Sequence, residues 1–154
     1  MKVSKKNKVD FYWDDKMGIC RCTITVNNDK YLGFAYVHPM DVDMMNEKTG
    51  NEIAYHRALI NLLKDQKKKL NLELKGLNGL YYSMKHSPHF NVKSYEAKML
   101  YHQIKYHNQD IEAINDLMED INTWLKDYID KKDHFYQQLR KRREQGKACQ
   151  SSNE

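Results

Sequence analysis

At 154 residues with 40% hydrophobic content, the chain has material for one ordinary domain and one shared core. No run approaches the ~18 consecutive apolar residues of a membrane span, and the basic start Met1 to Lys8 has no apolar region behind it, so the protein is expected in the cytoplasm where it is made. The net charge of +5 favours anionic partners only mildly, because 21 acidic residues are interspersed among 26 basic ones.

After a basic arm at residues 1–8, three strand-like runs follow, Val9 to Trp13, Ile19 to Val26 and Tyr31 to Val37, all rich in β-branched and aromatic residues. Turn residues separate them at Asp14 to Gly18 and Asn27 to Lys30, which predicts an antiparallel β-meander. In the second run Cys20, Cys22, Ile24 and Val26 share one parity, and Arg21, Thr23 and Thr25 the other, so one face is buried and one is wet. The two close cysteines lie on one face of a strand without geometry for a mutual disulfide, and three cysteines in all fit a reducing compartment.

His38-Pro39 ends the third strand, and residues 40–48 read as a loop. Thr49-Gly50-Asn51-Glu52 matches a capping box, so helix 1 is expected over about 50–86. Its seam is Ile53, His56, Ile60, Leu63, Lys67, Leu70, Leu74, Leu77, Tyr81 and Met84, with a kink or early stop expected near Lys75 from Gly76 and Gly79. Ser94 caps helix 2, expected over about 94–143, whose seam runs Ala97, Ile104, His107, Ile111, Ile114, Met118, Ile121, Leu125, Tyr128, Lys132, Phe135 and Leu139. The fold class is therefore α+β: a three-stranded meander followed by an antiparallel coiled-coil hairpin, as one domain over residues 9–143. Helix 2 outruns helix 1 by roughly 20 Å, and the excess must cover the sheet, pair with a second chain, or stand exposed. Residues 144–154 lack an apolar pattern and read as a disordered tail.

Chemistry-bearing patterns are sparse. His86 and His89 lack further ligands for a metal, and Asp14-Asp15 or Asp41 with Asp43 offer only two carboxylates each. Cys20 and Cys22 sit in mid-strand and Cys149 in the tail, away from any helix N-terminus that would activate a thiol. The expectation is a protein that binds rather than catalyses, without cofactor or metal. Lys67 and His107, both on the seams, are expected to meet in a register-setting polar layer.

Two regions suit an anion. Arg57, with Tyr55 and Asn61 beside it and Tyr36 and His38 at the end of the third strand, combines a bidentate donor with rings that stack on a base; the plainer role for Arg57 is an ion pair with Asp41, Asp43 or Glu47. Arg140, Lys141, Arg142 and Arg143 form a basic helix end suited to phosphates or a partner surface, or simply to the helix dipole.

The segment from Gly33 through His38-Pro39-Met40-Asp41 to Thr49-Gly50 and Ile53-Ala54-Tyr55-His56-Arg57-Ala58 resembles a pattern in small proteins of phages of low-GC Gram-positive bacteria. Among these it is most similar, over about residues 30–60, to the first Thoeris anti-defence family, a sponge for cyclic ADP-ribose signals. The resemblance implies a small N-terminal sheet with antiparallel helices, assembly from dimers, and Arg57 as a phosphate contact. It implies a non-enzymatic anti-defence protein in the host cytoplasm, homodimeric through its helices. The alternatives are an inhibitor of a host defence protein or nuclease, as anti-CRISPR proteins are, a nucleic-acid binder using the basic helix end, and a structural coiled-coil phage protein.

Overall fold

The computed structural model describes residues 7–37 and 46–151, and the side chains among them up to residue 146. The chain is α+β: strands β1 (Lys8–Asp14), β2 (Ile19–Val26) and β3 (Asp29–Tyr36) form an antiparallel sheet in the order β1-β2-β3, followed by helices α1 (Glu47–Lys85) and α2 (Tyr95–Ser151). No helix among the described residues is long and apolar enough to cross a membrane. His38, Asp41 and Asp43 lie outside the described residues. The residues gather into two compact units: Met1–Leu59 with Ile121–Glu154, and Ile60–Asp120.

In the first unit the turn chemistry fixes the meander. Asn27 and Asn28 both take positive φ, 52° and 74°, the backbone of a two-residue turn whose twist matches the flanking strands. At the other turn the Asp14 carboxylate accepts from the Lys16 and Met17 amides, both at 3.1 Å, and Gly18 supplies a positive φ of 66°. The pairings Trp13–Cys20–Ala35 and Phe11–Cys22–Gly33 place these residues on one face, and Cys20, Cys22, Ile24 and Ala35 are buried there as their parity requires.

That face is covered by the first turns of α1. Ala54 and Ala58 are both 0% exposed, and a Cβ added to Gly33 would fall on the Ala54 carbonyl oxygen and the Ala58 amide nitrogen, so helix backbone rests directly on strand backbone. Glycine is required at position 33 by this approach rather than by its dihedral angles. Gly50 is similarly close, its would-be Cβ 3.1 Å from both Cys20 Cβ and Trp13 Cζ3. The Cys20 thiol donates to Asn51 Oδ1 at 2.8 Å, tying helix to sheet by a polar bond inside the packed layer. On α2, Ile121 and Leu125 complete this core.

The second unit holds an antiparallel pair of helical stretches, α1 from Ile60 and α2 up to Asp120. Ile60, Leu62, Leu63, Ala97 and Leu100 are its buried apolar residues, and each fully buried aliphatic side chain contributes about 1.5–3 kcal/mol. The connection is closed by Tyr81 against Phe90, ring centroids 6.3 Å apart, and Ser94 Oγ accepts from the Ala97 amide as the expected cap of α2.

Four expectations are corrected. Asn46, not Thr49, caps α1: its Oδ1 accepts from the Thr49 amide at 3.3 Å, while Thr49 is buried. The helix runs unbroken through Gly76 and Gly79 to Lys85, because their backbones bear on nothing that would bend it. His107 does not pair with Lys67: its Nε2 donates to Glu73 Oε2 at 2.8 Å and its Nδ1 to the Gln103 carbonyl at 2.9 Å, whereas Lys67 lines a shallow groove with Lys64, Lys68, Leu72, Lys75 and Met118. Finally, α2 does not stop near residue 143 but continues to Ser151, since nothing in Glu144 to Gln150 except Gly146 opposes helix.

Candidate functional site

In the first unit, one face of α1 and one face of α2 meet the end of β3 around a cleft of about 370 Å³. Asn46, Thr49, Gly50, Ile53 and Arg57 line it at the three-and-four spacing of one helix face, and Ile129, Lys132, Asp133, Tyr136, Gln137 and Arg140 do so from α2. Ala35, Tyr36 and Val37 close it from the sheet. The excess length of α2 thus covers the sheet end, the first of the three fates expected for it.

Among the described residues that line the cleft are three cations, Arg57, Lys132 and Arg140, and one carboxylate, Asp133. Arg57 is held against the sheet: Nη1 donates to the Phe34 carbonyl at 2.7 Å, which fixes the guanidinium near the end of β3. Lys132 extends its ammonium over the Tyr128 ring, 5.4 Å from the centroid. Tyr36 is 67% exposed at the cleft's edge, and its ring stacks on Phe34 with an interplanar angle of 16°. Tyr136 is half-buried across from it. Of the carboxylates expected to neutralise Arg57, Glu47 lines a different cleft, and the two aspartates lie outside the described residues.

The structure brings Arg57 and Tyr36 together with Arg140, which sequence reasoning had placed in a separate basic patch. It separates Tyr55 from them. Tyr55 is two residues from Arg57, about 200° around the helix, and so faces a second, more open cleft with Val9, Phe11, Glu47, Lys48, Asn51, Glu52 and His56. Asn61 lines neither cleft and belongs to the second unit. Lys141, Arg142 and Arg143 are exposed on α2, outside the cleft. Lys132 and Asp133 were missed as site residues, although their spacing to Tyr136 and Arg140 places all four on one face of a helix.

Beside the second cleft His56 donates from Nδ1 to the Glu52 carbonyl at 2.7 Å and stacks on Trp124 at 4.1 Å, and Trp124 stacks in turn on Tyr128 at 4.8 Å. This ring column fixes α2 against α1 and so sets where Lys132 and Tyr136, one and two turns on, meet the cleft. The thiols offer little reactivity. Burial, then the neighbouring Cys20 and Asp10, pushes Cys22 up to about 11, and burial, then Glu47, raises Cys20.

Comparison with known proteins finds no matching family model, no matching curated protein and no matching solved structure.

Proposed function

We propose that this chain is a non-enzymatic binding protein of the anti-defence kind, which sequesters a small nucleotide-type anion in the cleft between β3 and the facing stretches of α1 and α2. The observation that carries the reading is the convergence of Arg57, Lys132 and Arg140, from two helices, on an opening flanked by Tyr36 and Tyr136. Arginine forks suit phosphate oxygens, a tyrosine ring suits a base, and the Asp133 carboxylate suits a ribose hydroxyl. A volume near 370 Å³ lies within the range of about 300–1,000 Å³ typical of small-molecule sites.

The test is thermal unfolding of the purified chain against cyclic nucleotides and cyclic ADP-ribose isomers. A ligand at one hundred times its dissociation constant adds about 2.7 kcal/mol, which for a chain of this size is a rise of roughly 5–11 °C in Tm. Arg140→Glu should abolish the shift, read against that variant's own ligand-free Tm. Absence of a shift with every anion would sink the proposal.

The exposure of Lys141, Arg142 and Arg143 favours a second reading, binding of nucleic acid or an acidic partner along the end of α2. Removing residues 141–154 would then weaken binding and flatten its salt dependence, while a ligand bound in the cleft would be unaffected.

A further inference from the structure

β1 forms one edge of the sheet. Among the described residues β1 pairs with β2 alone, every residue from Lys8 to Asp14 sits in a continuous ladder without a bulge, and no proline interrupts it. Its side chains are open as well: Val9 is 45% exposed, Phe11 47% and Tyr12 53%. Long, flat, apolar edges are normally blunted by charge, proline or bulges, because their free N–H and C=O groups template another strand.

β1 carries Lys8 at its first position and Asp14 at its last, with Asp10 between them and 3.5 Å from the Lys8 ammonium. We propose that β1 pairs antiparallel with β1 of a second copy of this chain about a two-fold axis through Phe11, making one continuous six-stranded sheet. In that register Lys8 lies opposite Asp14 of the second copy, Val9 opposite its Trp13, Asp10 opposite its Tyr12, and Phe11 opposite itself. The two ion pairs close the ends, and Val9, Phe11 and Trp13 extend the helix-covered face across the junction.

Neighbouring registers are worse for stated reasons. A shift of two residues one way sets Asp10 against Asp10, and the other way sets Asp10 against Asp14 twice; like charges directly opposite are destabilising. A shift of one residue sets helix-covered positions against solvent-facing ones, so the two sheets cannot continue one another. Charge thus bears on the occupant as well as the register: the end charges Lys8 and Asp14 complement each other when the strand is reversed, and Asp10 then meets Tyr12 instead of a second carboxylate. The pairing leaves the cleft around Arg57 untouched, and it replaces the helix-mediated dimer that the sequence suggested.

Sedimentation velocity on the full chain over a range of concentrations should show a dimer that dissociates to monomer on dilution. Phe11→Lys, which sets two ammonium groups against each other on the axis, should lower the association constant at least a hundredfold. Because Phe11 is half exposed, its circular dichroism should be unchanged. Cysteine scanning supplies the register in a Cys149→Ser background. Directly opposite antiparallel residues have Cα atoms about 4.5–5.5 Å apart, within the ~4.4–6.8 Å span of a disulfide. Phe11→Cys should therefore oxidise quantitatively to a covalent dimer, and Tyr12→Cys, which faces Asp10, should not. A chain that is monomeric at every concentration, a dimer indifferent to Phe11→Lys, or equal cross-linking at positions 11 and 12 would each overturn the proposal. If Phe11→Lys proves unfolded, the cysteine pair alone decides.

Discussion

Gly33→Ala is a one-carbon change whose cost follows from where α1 rests. The new Cβ would fall on the Ala54 carbonyl oxygen and the Ala58 amide, and its distance to Ala58 Cα would be 2.9 Å. Those atoms are helix backbone, so no side-chain rotation relieves the clash; either α1 lifts off the sheet or β3 bends. Overpacking a core typically costs about 1–3 kcal/mol, and an obstruction made of main chain belongs at the top of that range. Lifting the helix would also strain the Cys20–Asn51 bond and loosen Gly50 against Trp13. At about 2–4 °C per kcal/mol for a chain of this length, the expected fall in Tm is about 6–12 °C, read by circular dichroism at 222 nm. Gly76→Ala is the matched control, since a Cβ there meets nothing and the helix interior gains about 1 kcal/mol in propensity. Wild-type stability in Gly33→Ala would refute the claim that helix backbone bears on strand backbone at this point.

Other outcomes follow from individual groups. In a Cys149→Ser chain, Cys20 and Cys22, 1% and 0% exposed with raised thiol pKa values, should resist a disulfide-exchange reagent under native conditions and react only on unfolding; fast labelling of the folded chain would contradict the sheet packing. His107 donates from both ring nitrogens, so its hydrogen bonds to Glu73 and then Gln103 hold its pKa above the ordinary value. A raised pKa in the folded state means the stabilisation is complete below the unfolded value of about 6.5 and is lost as pH rises through the folded value. The stability gap between wild type and Glu73→Gln, from urea unfolding, should accordingly narrow between pH 5.5 and the alkaline side; a constant gap would show that the pair is not protonation-linked.

The parts of the fold legible in the sequence were those governed by a single period. Alternation in Ile19–Val26 identified the buried Cys20, Cys22 and Ile24, and every seam position expected on α1, from Ile53 to Met84, is buried or half-buried. The seam of α2 held as far as Lys132 and failed at Phe135, which is 56% exposed while the neighbouring Tyr136 is half-buried and lines the cleft. A seven-residue repeat drifts about 20° per heptad against a straight helix of 3.6 residues per turn, and where the facing element changes from a helix to a sheet end nothing holds the stricter repeat. The cleft was half legible for the same reason. Arg57 and Tyr36 were found as candidates, but proximity in sequence grouped Arg57 with Tyr55, which helical geometry sends to the opposite side. The cap at Asn46 was overlooked because Thr49 to Glu52 satisfies a capping pattern that burial of Thr49 by the fold overrides.

The division between the two compact units falls within both helices, after Leu59 and after Asp120, with no loop at either crossing. The second unit can therefore gain or lose matched turns on both sides of the 86–94 connection without a change to any residue of the first. The anion cleft and the β1 edge, both built outside residues 60–120, place no requirement on how many such turns there are.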